Sequence, residues 1–149
     1  MKIYLGADYH GLDRKAYLMS FLAEQGYQVQ DDGAFEHQEG DDYNDPAIAV
    51  AKDVREDLGS MGILICDSAH GMTIQANRFK GIRAANCSSP ESAVLAREHD
   101  DANVLCLSAR ATDNEAAKEI VLTFLNTNFT ELERRVRRIN RLDEREDYD

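Results

Sequence analysis

No run in this chain approaches the roughly 18 consecutive apolar residues that a membrane-spanning helix needs, and the opening MKIYLGADYHG lacks the apolar centre of a secretory signal. A membrane role is therefore not expected. Cysteine is sparse, three scattered residues of which two fall in strand-like runs, so a disulfide framework is excluded and a reducing, cytoplasmic compartment is expected. There is no C-x-x-C pair and no histidine cluster, which argues against structural zinc. Positive charge is also short: 17 Lys and Arg face 28 Asp and Glu, a formal net charge of −11. Nucleic acid is an improbable partner for such a chain, because a phosphate backbone needs a basic face. Neither an internal repeat nor a linker interrupts the 149 residues, so residues 1–149 read as a single domain, long enough for a proper core.

What is present is organised around residues 61–85, MGILICDSAHGMTIQANRFKGIRAA. The unbroken apolar run Ile63-Leu64-Ile65 predicts a parallel strand buried on both faces, since a half-exposed strand would alternate. It ends on Cys66 and is followed by Asp67-Ser68-Ala69-His70-Gly71 and a short helical pattern that turns Met72, Ile74 (or Thr73) and Ala76 inward. A second strand is expected over Ile82–Cys87. In an open parallel sheet, ligands sit beyond the carboxyl ends of strands, where helix N-termini offer free N–H groups. A thiol is thereby placed at the expected ligand site.

Strand and helix patterns alternate along the whole chain. Lys2–Gly6 is a short strand, followed by a helix with Leu12, Ala16, Met19 and Leu22 inward that Gly26 stops. Gln28–Asp31 is a weak strand, and residues 32–44 form an acidic loop. Asp45-Pro46 starts a helix that buries Ile48, Ala51 and Val54. Ser89-Pro90-Glu91 opens another, with Val94 and Leu95 inward, and Asn103–Ser108 is the fifth strand. Thr112-x-x-Glu115 and Thr130-x-x-Glu133 read as capping boxes for the last two helices. The first of these buries Ile120, Val121, Phe124 and Leu125, and residues 143–149 form a charged, frayed tail. The sum is an α/β fold, a three-layer α/β/α sandwich on a parallel sheet.

Fold logic gathers Asp8, Tyr9 and His10, then Cys66–Gly71, then Arg110 along one sheet edge. Taken singly, each has a plain structural reading: a strand-end cysteine is commonly a small buried hydrophobe, and Arg110 an ordinary surface charge. A carboxylate, a phenol, a thiol, a helix N-terminus and a guanidinium together favour a site. Cys87 and Cys106 remain core thiols, and His37 a solvated loop residue. In the last helix, Leu132, Val136, Ile139 and Leu142 form a stripe too narrow for a core helix, which predicts packing on a second chain. Its basic run, Arg134-Arg135-Val136-Arg137-Arg138, is either an ion-paired solvated face or a holder of an anion such as phosphate.

Five blocks, GADYHG, DDYNDPAIAVAKDV, GILIC with its loop, ANRFKGIRAA and AREHDDANVLCLSAR, stand in an order that resembles the type B ribose-5-phosphate isomerases and the related galactose-6-phosphate isomerase subunits, over nearly the whole chain. The resemblance implies a five-stranded Rossmann-like sandwich, a homodimer (or a tetramer) with the helix over about 130–143 at the interface, no metal and no organic cofactor. It also implies aldose–ketose isomerisation of a phosphorylated sugar through an enediolate. Ribose 5-phosphate/ribulose 5-phosphate is the leading pair; another four- to six-carbon sugar phosphate, such as galactose 6-phosphate/tagatose 6-phosphate, and a non-catalytic sugar-phosphate binder are the alternatives. Carried over by residue, Cys66 is the base, its thiolate favoured by the helix N-terminus, and His99 assists ring opening. The backbone of Asp67, Ser68, Ala69, His70 and Gly71 holds the developing oxyanion. Asp8 meets a substrate hydroxyl, Tyr43 walls the pocket, Tyr9 and Asp100 line it, and Arg110 and Arg135 hold the phosphate, Arg135 from across the dimer.

The chain departs from that family pattern at several positions. The usual Asp-His after the first strand reads Asp8-Tyr9, with His10 one place later. The small loop after the cysteine reads Asp67-Ser68-Ala69-His70, the asparagine after the ring-opening histidine is Asp100, and the Gly-Gly-Arg-His before the last helix is shortened to Thr130–Glu133. Two rival chemistries are weaker. A cysteine P-loop phosphatase would need an arginine at position 72, which is methionine, and Gly6–Gly11 lacks the glycine spacing of a dinucleotide site.

Overall fold

Residues 1–144 are described by a computed structural model of the chain. Five parallel strands, β1 (Lys2–Ala7), β2 (Gln28–Asp31), β3 (Met61–Cys66), β4 (Ala84–Asn86) and β5 (Val104–Ser108), lie in the order β2-β1-β3-β5-β4. The helices α1 (Leu12–Glu24), α2 (Asn44–Glu56), α3 (His70–Ala76), α4 (Pro90–Asp100), α5 (Asn114–Asn126) and α6 (Glu133–Arg141) connect and cover them. The predicted three-layer sandwich is what forms.

Side-chain alternation splits the core in two. Ile3, Leu5, Ile63, Ile65, Leu105 and Leu107 face α1, α4 and α5, whereas Tyr4, Leu64, Cys66, Val104 and Cys106 face α2 and α3. β3 and β5 are buried at every position, as a central parallel strand must be. Cys66 stands level with Ser108, and Gly62 level with Val104.

The sequence phases of several elements are corrected. α1 turns Lys15, Leu18 and Leu22 inward and leaves Ala16 exposed. A lysine can take the inner position because its stem packs while its ammonium reaches Asp31 Oδ1 at 2.7 Å and the Ala34 carbonyl at 2.6 Å. α2 begins at Asn44, before Asp45, with no side-chain cap, and buries Pro46, Ala47 and Val50 while Ile48 is half-buried. α5 is capped by Asp113, which accepts from the Ala116 amide at 2.8 Å, because the Thr112 hydroxyl is turned back to the Ser108 carbonyl. β4 is shorter than expected, and Ile74 and Leu95 are exposed. α6 begins after Leu132, whose side chain cannot cap, and has no buried residue. Of the charged tail, residues 145–149 lie outside the described residues; Asp143 is docked, accepting from the Gly81 amide at 2.9 Å.

A carboxylate pair ties β2 to α2. The Gln30 amide donates to Asp32 Oδ1 at 2.9 Å and to Asp53 Oδ2 at 3.0 Å, while the buried Oδ2 of Asp32 has no partner unless a proton links it to Asp53. Burial, reinforced by Asp53, pushes the Asp32 carboxyl up to about 6. An unfolded aspartate titrates near 3.9, so this group favours the fold most when protonated. Its contribution declines as pH rises from about 4 through about 6. Asp32→Asn, which mimics the protonated form, should therefore raise the melting temperature at pH 8 and give no gain near pH 4.5; thermal unfolding at both pH values checks this.

Candidate active site

At the carboxyl edge of β3, Cys66 is almost fully covered, with 5% of its surface exposed. Its carbonyl accepts from the Ala109 amide at 2.8 Å, and the next carbonyl, of Asp67, accepts from the Arg110 amide at 3.1 Å and the Ser108 hydroxyl at 2.7 Å. The end of β5 thus fixes the start of the loop. Ala69 then takes a left-handed conformation, φ +71°, which costs a non-glycine residue roughly 1–2 kcal/mol. The turn aims the Ala69 and Met72 amides at the Cys66 sulfur.

Those two amides do not make a thiolate. Burial pushes the Cys66 thiol up, the amides oppose it, and the Asp8 and Asp67 carboxylates push it further up. The helix N-terminus favours the thiolate, as expected, but burial decides the balance. α3 has only seven residues, and withdrawal from water outweighs its donors.

Strand β1 supplies the second component. The Asp8 amide donates to the Ile65 carbonyl at 3.2 Å, which sets the turn Tyr9–Gly11 against the end of β3. Gly11 is required there, since a Cβ would stand 2.6 Å from the Ile65 carbonyl oxygen. The buried Asp8 carboxylate accepts from the His10 amide at 3.1 Å with Oδ1 and meets His10 Nδ1 at 3.1 Å with Oδ2. A carboxylate accepts, so Nδ1 carries the hydrogen, and Nε2 has no partner among the described residues. Tyr9 stacks on His10 with ring centres 3.9 Å apart. Loss of water, then Glu39, Asp8, Asp41 and Asp67, raise the Tyr9 phenol. Residue-by-residue matching passed over His10 as a site residue; the signal available was its spacing from Asp8, one turn at a strand end.

Arg110 and Asp67 form a two-pronged ion pair, Nη2 to Oδ2 at 2.7 Å and Nε to Oδ1 at 3.2 Å. The guanidinium holds the Asp67 carboxyl below the usual carboxylate range. Tyr43 lies against the loop as expected, so close that a Cβ on Gly71 would come 2.5 Å from its ring. Ser68 and His70 are exposed, the His70 amide reaching Ser68 Oγ at 3.4 Å.

Asp8, Tyr9, Tyr43, Cys66–Gly71 and Arg110 are therefore gathered at one edge. His99, Asp100 and Arg135 are not. Helix α4 runs back along the sheet, and its last turn, with His99 and Asp100, leads through Asp101–Asn103 into the first residue of β5. That residue stands level with Gly62, four residues before Cys66, or roughly 13 Å along the strand. Asp100 lines a cavity with Arg83, Ala102 and Asp143 at this far edge. Arg135 is there too, its Nη1 donating to the Glu98 carbonyl at 3.0 Å. Among the described residues, no group of three or more His, Cys, Asp or Glu could hold a metal ion.

Residues 3–142 match the family described as Ribose/Galactose Isomerase. A ribose-5-phosphate isomerase B of Escherichia coli is 41% identical over 128 residues, 86% of this chain and 85% of that protein. The ribose-5-phosphate isomerase of Thermotoga maritima superposes with a TM-score of 0.92 at 38% identity, covering 97% of this chain and 98% of that one. The Mycoplasma genitalium ribose-5-phosphate isomerase B, solved with bound ribulose-5-phosphate, gives 0.92 at 38% identity over 96% and 94% of the two chains.

Alkylation tests the state of the thiol. Iodoacetamide should modify Cys66 slowly at pH 7 and keep accelerating beyond the pH at which a free cysteine levels off, because only the thiolate reacts. The rate is followed by mass spectrometry, with Cys66→Ala separating this site from the buried Cys87 and Cys106. A plateau already reached at pH 7 would show a preformed thiolate instead.

Proposed function

The chain belongs to the ribose/galactose isomerase family, and we propose that it interconverts ribose 5-phosphate and ribulose 5-phosphate through an enediolate, with Cys66 as base and a site shared between two copies. The observation that carries this reading is the buried Cys66 thiol at the strand end, with two amides aimed at it and an Asp8–His10 pair on the same edge.

Each group has a part to play in the chemistry. His99 assists opening of the sugar ring. The thiol passes its proton toward the Asp8–His10 pair and takes the hydrogen on C2. A sulfur whose acidity is weakened by burial is, once ionised, a correspondingly stronger base for a carbon acid. Charge then develops on the carbonyl oxygen beside the backbone of residues 67–71, where preorganised N–H donors need no rearrangement. The proton on the C2 hydroxyl passes to the C1 oxygen, and the thiol returns its proton to C1, which leaves the carbonyl at C2. The thiolate is then reprotonated from the Asp8–His10 pair, with no net oxidation. Arg110 receives the phosphate.

A second copy is needed because the chain's own His99 and Arg135 sit at the wrong edge. Its outward surface fits that role. Leu95 on α4 and Val136 and Leu142 on and beside α6 are exposed, 51%, 38% and 58% respectively, and α6 buries nothing of its own. The start of α6 is nonetheless tethered to its own chain, Arg135 Nη1 and the Thr130 amide both donating to the Glu98 carbonyl. The three free cysteines favour a reducing compartment, and we place the enzyme in the cytoplasm. No helix among the described residues is long and apolar enough to cross a membrane.

Proton NMR of ribose 5-phosphate in D2O tests the reaction. The wild-type chain should yield ribulose 5-phosphate and exchange the C2 hydrogen with solvent. Cys66→Ala should retain the fold and lose the exchange, and sustained exchange in that variant would remove the thiol from the role of base.

Mixing tests the shared site. Cys66→Ala and His99→Asn should each be nearly inactive alone, yet recover about one quarter of the wild-type rate after subunit exchange. Half of randomly formed dimers are hybrids, and each hybrid has one intact site. A mixture that stays inactive after verified exchange, or a chain that is monomeric at assay concentration, rules the shared site out.

A further inference from the structure

Asp67 already occupies the cation that the substrate needs. The carboxylate takes Arg110 through Nη2 and Nε together, the same two-pronged edge of a guanidinium that a phosphate would use. The pair is not an accident of two mobile side chains. The Arg110 amide donates to the Asp67 carbonyl at 3.1 Å, and the Ser108 hydroxyl to that same carbonyl at 2.7 Å, so the two backbones are locked side by side. The Arg110 side chain is 76% exposed and that of Asp67 35%, so an anion arriving from solvent has open access to the fork.

We infer that Asp67 is a built-in competitor for Arg110, an internal anion that a substrate's phosphate must displace and that retakes the guanidinium when product leaves. The inference rests on the reading of Arg110 as the phosphate ligand of the proposed isomerase. Displacement is feasible because an ion pair this exposed is weak, and a dianion offers the fork more charge than a carboxylate does. The exchange sets a ceiling on phosphate affinity and gives the released phosphate a replacement, so Arg110 is never left unpaired in the empty site. A second effect follows from position. The Asp67 charge, which raises the Cys66 thiol, is partly neutralised by Arg110 in the empty site and loses that partner when phosphate binds.

A double-mutant cycle read by calorimetry with inorganic phosphate as the probe tests this without turnover. The proteins are the wild-type chain, Asp67→Asn, Arg110→Ala and the double variant, with Asp67→Ala as a second form should the asparagine still bond Arg110. Removing the carboxylate should tighten phosphate binding about two- to fivefold, and the gain should vanish in the Arg110→Ala background. Unchanged or weaker binding in both Asp67 variants overturns the inference. So does an equal gain with and without Arg110, which would show general repulsion of anions, and so does the absence of phosphate binding in all the proteins. An inactive wild-type chain whose cycle behaves as described would overturn the isomerase reading and leave the competition standing; an active one with a flat cycle would do the reverse.

Discussion

Five strands running in one direction put every strand-to-helix turn at one edge of the sheet and every helix end at the other. Everything at the site follows from that polarity. Asp8 leaves β1, Cys66 leaves β3 and Arg110 follows β5, and the register that sets Cys66 beside Ser108 brings the three exits level. The same rule removes His99, because a residue in the last turn of a returning helix must arrive beside the start of the next strand. No rotamer or loop movement spans the sheet. A chemistry requiring both residues therefore requires two chains, and the uncovered apolar residues of α4 and α6 lie on the elements that carry the far-edge group.

A chain with a net charge of −11 must still receive an anionic substrate. It does so by local pairing rather than by a basic surface. At the reactive edge, Asp8 is engaged by His10 and Asp67 by Arg110, so two carboxylates beside the thiol are each met by a side chain able to carry positive charge. What remains of their field raises the Cys66 thiol along with burial. Burial and that field both disfavour the thiolate, the form that alkylating agents and oxidants attack.

The strands were legible because their apolar runs have a single physical reading, burial on both faces, and the strand ends then located Cys66, Asp8 and Arg110. Helix phases were less legible. Periodicity assigns a lysine to solvent, yet Lys15 lies inside because its stem covers apolar surface and Asp31 meets its charge. Caps failed for a related reason. Thr112 and Asp113 are adjacent and both can cap; the choice was made by the Ser108 carbonyl, which took the threonine hydroxyl. Leu95 was expected inward because it is apolar, yet it is exposed; the narrow stripe of α6 marked its own apolar residues as surface ones, and no such pattern marked Leu95. The thiol's state was out of reach because it is a balance of burial against two amides, and neither is written in local sequence.

The far-edge group is better understood as one device than as separate residues. The last turn of α4 presents unsatisfied carbonyls and the negative end of the helix dipole, where a cation is favoured. Arg135 supplies it, donating to the Glu98 carbonyl one residue before His99, and the Thr130 amide donates to the same oxygen at 3.2 Å. Arg97, buried in the same turn, holds the exit by donating to the Thr127 and Ala102 carbonyls at 3.0 and 2.6 Å. His99 and Arg135, to which ring opening and phosphate binding are assigned in the proposed reading, are thus set on one hydrogen-bonded corner within the single chain. Among the described residues only Nη1 of Arg135 is committed, which leaves the rest of the fork for an anion in the proposed reading. In the proposed shared site, this prior ordering within one chain lowers the side-chain entropy that docking must overcome.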